Sequence, residues 1–223
     1  MPIIKNGEGV KMKIAIIGAT GKAGKLIMEE ALQRGLDVTA IVRNKSKLSN
    51  SSVKVIEKDL FDLKKEDLKD FDTVVSAFGI WEEKELSKHS EVMNHLCDIL
   101  ADTNIRLMVV GGAASLFVNK EHSMILIDSP DFPKDWINLA KNSNKAFEIL
   151  KATKNVLWTY ISPSADFQAD GKKTGEYSIG DKDELCFNSK GESMISYADY
   201  AIGFVDEIEN KKFLNKRITL VSK

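Results

Sequence analysis

Apolar residues fall into two rhythms along this chain, and the rhythms alternate. Short, nearly continuous apolar runs at Lys13–Ile17, Asp37–Val42, Val53–Glu57, Thr73–Ser76, Arg106–Val110 and Val156–Ser162 predict strands. Between them, spacings of three and four predict helices at about 22–34, 88–102 and 133–153. Val92, Leu96, Ile99 and Leu100 form one helical stripe; Trp136, Ile137, Ala140 and Phe147 form another, opened by Pro133 in a first turn that needs no N–H there. Strands apolar along their whole length are buried on both faces, which predicts an α/β fold with a doubly wound parallel sheet. After Ser162 the texture becomes rich in Gly, Lys, Ser and Asp. Tyr177–Ile179 and Leu185–Phe187 read there as small strands, C-terminal insertions above the sheet. Ser196 then opens a helix, with Asp199 placed for a capping box and Ile202, Val205 and Ile208 as its stripe, and Ile218–Val221 is a last strand.

Composition narrows the partners. The 223 residues carry 32 basic and 33 acidic side chains, so net charge implies neither nucleic acid nor a membrane surface. No apolar run approaches the roughly 20 residues of a membrane span, and residues 1–11 lack a signal-peptide core. Cys97 and Cys186 form no CxxC pair, and a cytoplasmic location is the expectation. His89, His95 and His122 share no metal-ligand spacing, so no metal is expected.

The first strand runs directly into Gly18-Ala19-Thr20-Gly21-Lys22-Ala23-Gly24, and a helix follows. One glycine permits the tight turn, the second lets backbone approach a pyrophosphate, and the third lets helix pack on sheet. The helix N-terminus then attracts the phosphates. Three glycines alone are a weak signal; in a strand–turn–helix context with another strand beyond, they are a strong one. A P-loop is excluded, since Gly24-Lys25-Leu26 lacks both the leading Gly and the Ser/Thr for magnesium. An NAD site places a carboxylate at the end of strand two, whereas this chain has Arg43, followed by Asn44, Lys45, Ser46 and Lys47. A guanidinium forks onto a 2′-phosphate, so NADP(H) is favoured over NAD(H). Asp59 and Leu60 follow strand three where an adenine edge would lie, although Asp59 fits an N-cap equally well. Ala77, Phe78 and Gly79 follow strand four beside the same ligand.

The run KIAIIGATGKAGKLIMEEALQRGLDVTAIVRN (13–44) resembles the opening of atypical short-chain dehydrogenases/reductases, with NmrA-like proteins and biliverdin-IXβ/flavin reductases among them. VVGGAASL (109–116), LWTYISPSADF (157–167), KTGEYSIG (173–180) and ISYADYAIGFVDEIE (195–209) resemble a bacterial group described as NADH-flavin reductases. The resemblance implies an NAD(P)-binding Rossmann fold over 12–223, with 1–11 as an N-terminal extension. It also implies that Gly18, Thr20, Gly21, Lys22, Ala23, Gly24, Arg43, Asp59, Leu60, Ala77, Phe78 and Gly79 line the cofactor, with Gly111 and Gly112 beside the nicotinamide.

One departure bears on mechanism. Alcohol-acting members use Tyr-x-x-x-Lys, but Lys141-Asn142-Ser143-Asn144-Lys145 puts Lys in the Tyr slot. Ala113 stands at the catalytic Ser position, with Ser115 two residues on. Reducing a ketone needs a proton in place, whereas reducing a flavin needs chiefly two rings held together. The expectation is therefore an NADPH-dependent reductase of free flavin or a similar planar acceptor. Among Phe78, Trp81, Phe132, Trp136 and Phe167, the two tryptophans are the expected acceptor contacts. Flavin enters this reading as substrate rather than prosthetic group. The alternatives are an NADP(H)-sensing regulator without catalysis and a quinone reductase. No sequence feature points to an oligomeric state.

Overall fold

The computed structural model describes residues 11–48, 50 and 52–223. The elements run β1 (Lys13–Ile17), α1 (Lys22–Gln33), β2 (Asp37–Val42), β3 (Lys54–Glu57), α2 (Lys65–Leu68), β4 (Thr73–Ser76), α3 (Lys88–Leu100) and β5 (Arg106–Val110). They continue through α4 (Ile137–Ala152), β6 (Leu157–Ser162), β7 (Asp166–Gln168), β8 (Tyr177–Gly180), β9 (Met194–Ser196), α5 (Tyr197–Asn210) and β10 (Lys216–Ser222). Eight strands form one sheet in the order β3-β2-β1-β4-β5-β6-β10-β8, and only the β10–β8 pair is antiparallel. This is a Rossmann-like doubly wound fold, with its strand order reversing between β1 and β4.

The alternation of side chains along each strand divides the interior in two. Ile14 and Ile16 of β1 pack with Ile27, Met28 and Ala31 of α1 and with Tyr200, Phe204 and Ile208 of α5. Ala15 and Ile17 point the other way, toward Val92, Leu96 and Leu100 of α3 and Phe147 and Leu150 of α4. Two buried faces explain why the strands carry no polar alternation.

Helix α1 ends in a Schellman motif: Gly35 has φ +76, its N–H donates to Leu32 O (2.9 Å), and Leu36 N–H donates to Ala31 O (3.1 Å). Beside this end, Arg34 bonds the carboxylates of Glu30 (2.9 Å), Asp206 (2.5 Å) and Glu209 (2.7 Å), fastening the end of α1 to that of α5. The direction of α5 is fixed by two of its side chains. Tyr200 donates to Ile161 O, near the carboxyl end of β6 (2.7 Å), while Glu207 pairs with Arg106 at the amino end of β5. Helix α5 therefore starts at the carboxyl edge of the sheet.

Several expectations need correction. Helix α4 begins at Ile137, because Pro133 caps a separate 3-10 turn at Lys134–Trp136, and Trp136 stands exposed outside the buried stripe. Leu185–Phe187 is not a strand; the neighbouring Glu184 makes a single bridge to Phe117. The three-residue strands β7 and β9, which pair with each other, and the one-turn helix α2 are elements that the apolar pattern does not predict. Only half of the capping box forms at α5. Ser196 Oγ accepts from Asp199 N (3.0 Å), but the Asp199 carboxylate turns to Thr174 N (2.9 Å), Gly175 N (2.8 Å) and the Thr174 hydroxyl (2.7 Å). Of the expected 1–11 extension, only Lys11 is among the described residues. No described helix is long and apolar enough to cross a membrane, and no group of three possible metal ligands occurs among the described residues.

Candidate functional site

Parallel strands put all their following loops on one edge, so the segments after β1, β2, β3, β4 and β5 gather at the carboxyl edge. Gly18 leaves β1 with φ +79, and a Cβ there would lie 2.6 Å from Ala77 O. A Cβ on Gly24 would lie 2.3 Å from Gly18 O, so the third glycine is what lets α1 close on the turn. Gly21 differs. It is the N-cap of α1, a Cβ there would meet Gly18 O at 3.3 Å, a tight contact but looser than those at Gly18 and Gly24, no side chain caps the helix, and no acidic residue sits in the first turn. The N–H groups of Lys22, Ala23 and Gly24 have no acceptor among the described residues, and Thr20, Gly21 and Lys22 are exposed. An open helix N-terminus with free donors beside a glycine fits a pyrophosphate.

At the next loop Arg43 is exposed and makes no hydrogen bond among the described residues. Glu85, in the segment after β4, has its carboxyl held below the usual range chiefly by the Lys88 ammonium (2.7 Å), with Lys84 and Arg43 adding to it. Asp59 caps a short turn, accepting from Phe61 N at 3.0 Å, and Leu60 beneath it is buried. Ala77 touches the glycine turn, while the Phe78 ring meets His89 edge-on at 5.6 Å. Gly79 is exposed, with open space where a Cβ would stand.

After β5 two tyrosines enclose the backbone. The Tyr160 ring lies where a Gly111 Cβ would be (2.2 Å), and Gly112 N–H donates to its hydroxyl (3.0 Å). On the other face the Tyr200 hydroxyl shares Ile161 O with Gly111 N–H. Burial pushes both phenols up, so both stay protonated. Ser162 donates to Gly112 O at 2.8 Å. Gly112 itself has open space at its Cβ position.

A family model described as NAD(P)H-binding matches residues 18–211. This chain belongs to that NAD(P)H-binding family. The uncharacterized protein YwnB of Bacillus subtilis (strain 168) is 49% identical over 212 residues, 95% of this chain and 99% of the relative. A Streptococcus pneumoniae TIGR4 structure provisionally named an NADH-flavin reductase is 45% identical, with TM-score 0.91 over 95% of this chain and 100% of that one. A Bacteroides thetaiotaomicron structure provisionally named an epimerase is 32% identical, with TM-score 0.83 over 96% and 98%. One fold thus carries two chemical names, and the distinction must come from side chains.

Those side chains stand beyond the ends of β4 and β5. Trp81 (64% exposed) and Trp136 (52% exposed) meet edge-to-face with centroids 5.5 Å apart, and Asn138 Nδ2, in the first turn of α4, donates to Glu83 Oε1 (2.5 Å) in the segment after β4. Lys141 and Lys145 are exposed along α4 and make no hydrogen bond among the described residues. Ser115 is turned away: its Oγ accepts from Arg217 Nη1 at 2.9 Å, and the Arg217 guanidinium lies over the Phe147 ring while donating to Asp183 (2.7 Å). His122 is exposed, stacked on Phe117 at 4.2 Å and bonded to Glu184 at 3.1 Å. Phe167 stacks instead on Tyr197 at 3.8 Å. In the sequence pattern Tyr197 is only one position of the helix that Ser196 opens.

Two cavities lie elsewhere. One of about 520 Å³ is bounded by Phe147, Trp158, Lys216 and Arg217, and one of about 690 Å³ by Phe61, Leu63, His95 and Ile99. Neither touches the glycine turn. An extended dinucleotide lies across an open sheet edge rather than in a closed cavity, so the carboxyl edge is the site that fits the family.

Proposed function

We propose that this protein is an NADPH-dependent reductase that passes a hydride to a free flavin or a similar flat acceptor. The observation that carries the reading is the exposed Trp81–Trp136 pair in the segments that follow β4 and β5. Two tryptophans left in solvent have large faces available for a planar ring. The free N–H groups of Lys22, Ala23 and Gly24 bind the pyrophosphate, and Arg43 takes the 2′-phosphate. The second oxygen of Asp59 and the side of Leu60 face the adenosine half; Ala77, Phe78 and Gly79 bound the middle. Gly111 and Gly112 lie under the nicotinamide half, held by Tyr160 and Tyr200.

Bound NADPH supplies the hydride from its nicotinamide ring. The chain's part is to hold that ring and the acceptor in register, since hydride reaching a flavin leaves its charge spread over the ring system. The name of the Streptococcus relative supports the flavin acceptor, and Arg43 supports the phosphorylated cofactor. Steady-state NADPH oxidation with riboflavin, FMN and a quinone supplied in turn tests the reading. Turnover fastest with a flavin is expected. Cofactor binding with no turnover on any of the three overturns it in favour of a cofactor sensor.

A further inference from the structure

Helix α5 carries a side chain to this edge that the mechanism above leaves unused. Tyr200, Phe204 and Ile208 form its buried stripe, and Tyr200 reaches Ile161 O beside Gly111. Tyr197 lies on the same stripe, three residues nearer the helix start. Helix α5 starts at the carboxyl edge, so those three residues carry Tyr197 about 4.5 Å farther than Tyr200 toward that edge. Its ring is fixed there by Phe167 of the β7–β9 ribbon (3.8 Å), and Phe167 in turn rests on Tyr200 (4.8 Å). The other three tyrosine hydroxyls donate to or accept from named partners: Tyr160 with Gly112, Tyr177 with Asp206 and Tyr200 with Ile161. The Tyr197 hydroxyl has no partner among the described residues, and the ring is only half buried.

We infer that Tyr197 is a substrate-contact residue, its phenol O–H donating a hydrogen bond to the polar edge of the planar acceptor. The inference rests on the reductase reading, and it supplies the donor that Lys141-x-x-x-Lys145 does not. When the hydride and its electron pair reach the acceptor ring, negative charge grows at that ring's carbonyl edge, where a fixed donor counts most. The neutralising proton comes from water, and the phenol keeps its own. Burial raises the Tyr197 pKa, which keeps the O–H in place as a donor.

Tyr197→Phe tests this, since it removes the oxygen and keeps the stack on Phe167. Riboflavin binding to the NADP⁺-loaded protein is read by quenching of tryptophan fluorescence, and turnover by NADPH oxidation with riboflavin. The expected result is a riboflavin Kd about threefold higher and a kcat/KM about tenfold lower, the range of one neutral hydrogen bond. NADPH affinity and melting temperature should stay unchanged. Unaltered riboflavin binding and turnover overturn the inference. If the wild type binds riboflavin without oxidising NADPH, the reductase reading falls. Weaker binding by Tyr197→Phe would still uphold the contact in that case. If the wild type does not bind riboflavin at all, both fall.

Discussion

At the amino end of the sheet Arg106 is enclosed, and at the carboxyl end Arg43 is not. Arg106 donates to Thr159 Oγ1 (3.0 Å) and Glu207 O (3.0 Å) and pairs with the Glu207 carboxylate. Glu207 also accepts from Phe213 N (2.8 Å) and Lys212 N (3.3 Å). Nearby, Asn215 Oδ1 accepts from Trp158 N (3.1 Å), and Asp72 accepts from Lys13 N (2.8 Å). The exception is Thr73 Oγ1, buried without a partner. At the other end the α1 donors, Arg43 and the Tyr197 hydroxyl all lack protein partners among the described residues, and two tryptophans face solvent. Polar groups that the fold completes itself contribute stability. Those left incomplete and exposed at the carboxyl edge are available to a ligand.

The sharpest contrast is between the two arginines. Arg106→Ala leaves Glu207 buried and unpaired, and should cost about 3–5 kcal/mol. Thermal unfolding should show this as a drop on the order of 10 °C. NADPH affinity of the folded fraction should not change. A cost below about 1 kcal/mol would mean that the amino end is not the stabilising one.

Within the glycine turn the same contrast separates Gly21 from Gly24. A Cβ at Gly21 would stand 3.3 Å from Gly18 O, against 2.3 Å at Gly24, so Gly21→Val should lower the melting temperature less than a substitution at Gly24 does. Cofactor affinity should nonetheless fall more than about a hundredfold, or about 2.7 kcal/mol, by calorimetry. Gly24→Ala would press on Gly18 O from 2.3 Å and should lower the melting temperature more. Tight NADPH binding by a folded Gly21→Val variant would show that the phosphates lie elsewhere.

Arg43→Glu comes next. It should weaken NADPH by about 1.5–3 kcal/mol and leave NADH nearly unchanged, measured by titration of both cofactors. Equal wild-type affinity for the two would remove the role given to Arg43. Trp81→Ala and Trp136→Ala should cost less, about 0.5–1.5 kcal/mol each, appearing as a raised KM for flavin with NADPH affinity unchanged. A change in NADPH affinity in place of the flavin KM would move the tryptophans to the cofactor half.

These regions also differ in how well the sequence discloses them. Strands β1, β2, β4 and β5 match the apolar runs residue for residue, because burial on both faces leaves no other pattern. The geometry of Gly18 and Gly24 follows from spacing, since only glycine satisfies a positive φ or a contact with a carbonyl oxygen. The acceptor side is harder. Strands β7 and β9 are three residues long, too short for any period to register. Trp136 reads as apolar and so joins a helical stripe, although the backbone has not yet become α-helical there. Tyr197 counts as one more apolar position on α5, and only its distance beyond Tyr200 along the helix axis sets it apart. Local pattern discloses groups that bury themselves, whereas the groups left open are defined by long-range approach.

The smallest expected effects belong to Lys141 and Lys145. Each is exposed on α4 with no bond to the rest of the site, so Lys141→Ala and Lys145→Ala should each lower turnover less than tenfold, under about 1.4 kcal/mol. The pH profile provides a second check. Tyr197, Tyr160 and Tyr200 are all pushed up by burial and remain protonated between pH 6 and 8. His89, against Phe78, is pushed down by desolvation and is neutral over most of that range. Its effect on stability has a definite sign. The unfolded chain takes up the imidazole proton before the folded one, so stability is complete above the ordinary imidazole pKa and declines as pH falls below it. Activity should thus be nearly flat from pH 6 to 8, with any acid loss tracked by a falling melting temperature measured in the same buffers. A bell-shaped activity profile over a constant melting temperature would instead require a titrating proton donor at the carboxyl edge. A thousandfold loss on removing either lysine would identify that donor as the lysine.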